Sequence, residues 1–77
     1  MLEQAISQRL IELRVGKNYS RAAVADQLKI HKETLRRYEH NPSIMTLDVF
    51  LKLLNIYGYT TTIFFEECNS KMLLQQK

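Results

Sequence analysis

The stretch Ile30-His31-Lys32-Glu33-Thr34-Leu35-Arg36-Arg37-Tyr38-Glu39-His40 gathers three cations, two imidazoles and two carboxylates into eleven positions. Leu35 and Tyr38 stand three apart inside it. That spacing turns one edge of a helix inward and leaves a basic face outward. The charge around it is uneven. Seven basic residues lie from Arg14 to Arg37 against Asp26 and Glu33, a net +5, whereas residues 1–13 and 38–77 each sum to −1. A basic middle between slightly acidic flanks suits an anionic partner. On charge alone, a solvated Lys/Arg face is the preferred account.

Other chemistries find little material. Gly16 and Gly58 are the two glycines of the chain, so no glycine-rich phosphate cradle exists. His31, His40 and Cys68 do not make a zinc set. No acid–base pair or nucleophile stands out, so neither an enzyme nor a cofactor is expected. A single cysteine permits no internal disulfide and points to a reducing, cytoplasmic setting. No basic start leads into a long apolar run, so no signal peptide or membrane span is expected. With 77 residues the chain holds one domain at most.

The elements that would position the basic face follow from periodicity. Ile6, Leu10 and Leu13 give a first helix over 3–15, closed by Gly16. Ser20 caps a second helix, in which Val24 and Leu28 form the buried edge and Ala22 and Ala25 allow close crossing. A very short link at Lys29 and Ile30 leads into the third helix, which Asn41-Pro42-Ser43 ends. A fourth runs from about Thr46 to Tyr57 on the stripe Leu47, Phe50, Leu53/Leu54 and Tyr57. After Gly58, Tyr59-Thr60-Thr61-Thr62-Ile63-Phe64-Phe65-Glu66-Glu67 is β-branched and aromatic and reads as a strand over about 58–67. A lone strand needs a partner for its backbone, and the same strand of a second copy is the simplest one. Tyr59, Thr61, Ile63, Phe64 and Phe65 are then the dimerisation residues. A fifth helix is the alternative. The expected architecture is mainly α: a four-to-five-helix bundle over 1–68 with a C-terminal strand pairing across a homodimer, followed by a flexible tail over 69–77.

Two short helices joined by a tight turn, the second basic, form a helix-turn-helix pattern. Ser20-Arg21-Ala22-Ala23-Val24-Ala25, Leu28-Lys29-Ile30 and Thr34-Leu35-x-x-Tyr38-Glu39 together resemble the Xre/phage-repressor helix-turn-helix family over roughly residues 5–57. The continuation through Tyr38-Glu39-His40-Asn41-Pro42, Thr46-Leu47 and Phe50-Leu51-Lys52-Leu53-Leu54 into a Thr-rich segment looks like the HipB-type antitoxins in particular.

The resemblance implies roles residue by residue. Lys32 and Glu33 fall where family members touch bases, and Arg37 lies one turn on. Lys and Arg pair with guanine O6 and N7, and Glu accepts from cytosine N4. Ser20, Arg21, His31, Thr34, Arg36 and Asn41 are placed at the DNA backbone, with Arg21 standing where the family usually has Gln. Arg14 and Glu39 fall where the family sets a structural ion pair. Lys29 replaces the usual Gly, so a slightly remodelled turn is expected, and His31 replaces a common Ser or Thr cap.

The implied function is a sequence-specific repressor reading palindromic double-stranded DNA. As an antitoxin of a HipBA-like toxin–antitoxin system it would regulate its own operon and bind a HipA-like kinase toxin. The alternative is a stand-alone phage- or plasmid-type repressor without a toxin. A third reading, a protein-interaction module that no longer reads DNA, is opposed by the basic edge of Lys32, Arg36 and Arg37.

Overall fold

The computed structural model describes residues 2–75, with side chains through Ser70. Five helices follow one another: α1 (Leu2–Gly16), α2 (Arg21–Leu28), α3 (Lys32–His40), α4 (Leu47–Tyr57) and α5 (Thr61–Gln75). A short 3-10 turn, Pro42–Ile44, separates α3 from α4.

The helix ends are written locally. Three hydroxyls act as N-caps: Ser20 Oγ accepts from Ala23 N at 3.1 Å, Thr46 Oγ1 from Val49 N at 3.3 Å and Thr60 Oγ1 from Ile63 N at 3.2 Å. Each satisfies one of the amides that a helix start leaves unpaired. Three C-termini close through a left-handed residue, at Asn18 (φ 59°), Lys29 (φ 58°) and Gly58 (φ 75°). The residue after each donates back across the turn: Tyr19 N to Arg14 O at 3.1 Å, Ile30 N to Ala25 O at 3.0 Å, and Tyr59 N to Leu54 O at 2.9 Å. This is the Schellman arrangement.

Two details depart from the sequence reading. Gly16 is the last residue of α1, and the left-handed stop falls on Asn18. Lys29 adopts the left-handed conformation itself (φ 58°, ψ 43°), so the turn keeps its geometry and the side chain bears the strain. That strain is about 1 kcal/mol.

The core gathers Leu10 and Leu13 of α1, Val24 and Ala25 of α2, Leu35 of α3, Leu53, Leu54 and Tyr57 of α4, and Phe64 and Cys68 of α5. Ala25 is buried as a close crossing requires, whereas Ala22 faces out. Leu47, expected in the α4 stripe, is 70% exposed at the first turn of that helix.

The largest correction concerns residues 58–67. They are not a strand: α5 begins at Thr61 and runs to Gln75, so the segment expected as a tail from residue 69 is helical backbone through Gln75. Residues 76–77 lie outside the described residues. The physical reason is packing at a period of 3.6. Phe64 and Cys68 are fully buried, and Thr61 and Phe65 are half-buried beside them. The i, i+3, i+4, i+7 stripe Thr61, Phe64, Phe65, Cys68 is a helical face. Phe64 meets Phe50 edge-on at 5.6 Å between ring centroids, and Phe65 lies 5.9 Å from the same ring.

The residues assigned to a paired strand therefore take other places. Tyr59 accepts a hydrogen bond from Arg9 Nη2 at 2.9 Å, and the same guanidinium lies over its ring. Arg9 also pairs with Glu67, tying α5 to α1. Backbone groups that an unpaired strand would have left open are closed within the helix.

Candidate nucleic-acid interface

The turn between α2 and α3 sets up the site. Leu35 and Glu39, one helical turn apart, are the buried stripe of α3, flanked by half-buried Thr34 and Tyr38. The opposite stripe is Glu33, Arg37 and His40, with Lys32 and Arg36 beside it, all exposed. His31 precedes the helix in extended conformation and makes no side-chain cap bond. Lys29 and Lys32 add exposed charge at the turn and at the start of α3.

The sequence-assigned residues divide into two groups. Lys32, Glu33, Arg37, Arg36 and His31 share the exposed side of α3 and its entrance. Glu33 Oε2 accepts from Arg36 Nε at 3.0 Å, an exposed pair of the kind that contributes about 0–1 kcal/mol. Thr34 is half-buried at the edge of that face. Ser20 uses its oxygen as the α2 cap. Asn41 ends α3 and accepts from Ser43 Oγ at 2.8 Å through Oδ1.

The second group lies behind α3. Glu39 is 0% exposed. Its Oε2 accepts from Arg14 Nε at 2.7 Å and its Oε1 from Arg21 Nε at 2.9 Å. Arg14 also donates through Nη1 to Tyr19 O at 3.1 Å. Ser7 Oγ donates to the Glu39 main-chain carbonyl. The C-terminal turn of α3 is thus held from α1 and α2 together. Sequence reasoning placed Arg14 beside Glu39 but missed the tie from Arg21. The available signal was position: a carboxylate one turn after Leu35 falls on the buried stripe, and a buried carboxylate asks for more than one donor.

Tyr57 closes the back of this cluster. Its ring stacks on Tyr19 at 6.5 Å, and its hydroxyl is buried without a hydrogen-bond partner among the described residues. Burial, reinforced by the Glu39 carboxylate, pushes its ionisation well above the ordinary 10.0. The unfolded chain therefore loses this proton near pH 10 while the folded chain keeps it. The folded state binds more protons there, so stability is complete below pH 10 and falls as pH rises. Tyr57→Phe is expected to flatten that alkaline limb and, by removing an unpaired hydroxyl, to gain roughly 1 kcal/mol. Urea denaturation of both chains from pH 7 to 11 reads the two effects together.

Among the described residues, no three His, Cys, Asp or Glu side chains gather to hold a metal ion. None of the described helices is long and apolar enough to cross a membrane.

Comparison with known proteins bears on this arrangement. A family model described as HTH_3, helix-turn-helix, matches residues 10–64, from within α1 to the first turn of α5. The chain belongs to the helix-turn-helix family. It is similar to the HTH-type transcriptional regulator RamB of Mycobacterium tuberculosis, in strains CDC 1551 / Oshkosh and ATCC 25618 / H37Rv, with 25% identity over 75 residues. That alignment covers 97% of this chain and 16% of the relative, so the chain spans about a sixth of the length of these curated proteins. No solved structure matches. Within a helix-turn-helix, α2 is the supporting helix and α3 the recognition helix.

Proposed function

We propose that the chain is a sequence-specific DNA-binding domain of a transcriptional regulator, with α3 entering the major groove. The observation that carries this reading is the division of α3: an apolar and tethered back, and a front bearing Lys32, Glu33, Arg36 and Arg37. Lys32, Glu33 and Arg37 read base edges, and His31, Thr34, Arg36, Ser20 and Asn41 lie along the phosphates. Selection from a random duplex pool tests it. One enriched motif is expected, and Lys32→Ala and Arg37→Ala are each expected to lose about 1–3 kcal/mol of discrimination at one base position. A pool that stays random after selection removes the reading.

A palindromic site asks for two copies with recognition helices about 34–36 Å apart. A dimer cannot use the paired strand, because residues 61–75 are helical. One surface open to a second copy is an apolar groove of about 380 Å³ bordered in part by Leu2, Ile6, Met45, Leu47, Phe50 and Phe65. Sedimentation at micromolar concentration reports the oligomeric state.

The antitoxin reading, with its HipA-like kinase partner, rests on the resemblance over residues 38–54; the strand that extended it is α5. A stoichiometric kinase recovered with the chain from its host after nuclease treatment establishes that reading. Recovery without one leaves the repressor alone.

A further inference from the structure

We propose that Arg21 is a positioning residue that sets the angle of the recognition helix through Glu39, and does not leave that carboxylate for a phosphate. The inference rests on the DNA-binding reading of α3.

Arg21 opens α2, and Glu39 lies near the end of α3. Their 2.9 Å contact spans the turn and joins the two helices. The Glu39 side chain is 0% exposed, and its two oxygens are divided between Arg14 and Arg21. The cluster carries a net positive charge, because a single carboxylate serves two guanidiniums. The Arg21 side chain is 36% exposed, so its inner edge is engaged and its outer edge meets water.

For Arg21 to swing wholly to a phosphate and give up its Nε bond, it would have to strip a buried carboxylate of one of its two donors, so any outer contact is made with the Glu39 tie in place. Leaving a buried charge half-satisfied costs more than an exposed, salt-screened contact returns. The Nε bond therefore persists when DNA is bound. The functional consequence is geometric. Arg14 and Ser7 fix the end of α3 to α1, and Arg21 fixes it to α2. Without Arg21, α3 keeps its tie to α1 and its apolar packing on α2, but loses the polar tie that fixes its C-terminal end against α2. Base readout depends on the direction of α3, whereas contact with the phosphates of any duplex does not.

The test is Arg21→Met, which removes both the Glu39 bond and any phosphate contact, compared with the unaltered chain by fluorescence anisotropy on a selected duplex and on a scrambled duplex across a salt series. Arg14 still pairs with Glu39 in this variant, and circular dichroism confirms that the fold is populated at the working temperature. A positioning residue predicts that specific binding weakens about tenfold, with scrambled-duplex binding and the salt slope unchanged. A phosphate contact predicts equal weakening on both duplexes and a log–log slope shallower by about 0.9; that result overturns the inference. A lower melting temperature with unchanged affinity and discrimination also overturns it, since the role is then in stability alone. An unaltered chain that binds no duplex overturns this inference and the DNA-binding reading together, whereas either preceding result leaves the DNA-binding reading intact.

Discussion

Glu39→Ala is expected to cost about 3–5 kcal/mol of folding stability, the range for breaking a buried ion pair from one side. The carboxylate is wholly inside and holds Arg14 and Arg21 by separate oxygens. Removing it leaves Arg14, whose side chain is 11% exposed, as a buried cation with Tyr19 O as its remaining acceptor. Arg21 is exposed enough to swing into water, so most of the loss belongs to Arg14. A domain of this size holds roughly 4–12 kcal/mol in all, so the variant is marginal at 37 °C. Thermal denaturation followed at 222 nm checks it; a loss under 1 kcal/mol would mean that the cluster is solvated in solution. Replacing Arg14, Arg21 and Glu39 together with apolar residues is expected to restore much of the stability, because well-packed apolar groups match a buried pair.

Phe64→Ala is expected to cost about 3–5 kcal/mol, and Ile63→Ala within about 0.5 kcal/mol of nothing. Phe64 is 0% exposed, whereas its neighbour Ile63 is 49% exposed. Phe64 fills the space between α4 and α5 and meets Phe50 edge-on, so truncation removes both its buried area and an aromatic contact. The pair of substitutions separates helix from strand. In a strand paired across a dimer, Ile63 and Phe65 share the interface, and replacing Ile63 dissociates the assembly. In α5, Ile63 points out and its loss changes little. Urea melts of both variants, with sedimentation of Ile63→Lys, distinguish the two arrangements.

What the sequence revealed follows the range of the forces involved. The helices α1 to α4 were legible because their caps and stripes are local: Ser20 precedes α2 and Thr46 precedes α4, and apolar residues recur at helical spacing within each helix, as Ile6, Leu10 and Leu13 do in α1 and Phe50, Leu53, Leu54 and Tyr57 in α4. The exposed face of α3 was legible for the same reason. Residues 58–67 were misjudged because two local signals compete there. The β-branched run favours extension, while the Thr60 cap and the Thr61, Phe64, Phe65, Cys68 spacing favour a helix. Tertiary packing on Phe50, and Arg9 reaching Glu67, decide for the helix. The position of Glu39 on the buried stripe signals a second donor but does not identify it as Arg21, because the two residues sit 18 apart on different helices and no periodicity links them.

The central claim is that the outward face of α3 reads DNA. Amide chemical-shift mapping of the ¹⁵N-labelled chain, titrated with a selected duplex, tests it most directly. The account predicts that the large shifts cluster at residues 20–23, 31–37 and 41, with Leu2, Ile6 and Leu47 at the apolar groove left unmoved by the first equivalents. Shifts confined to that groove, or spread evenly at high DNA excess with α3 silent, would contradict it.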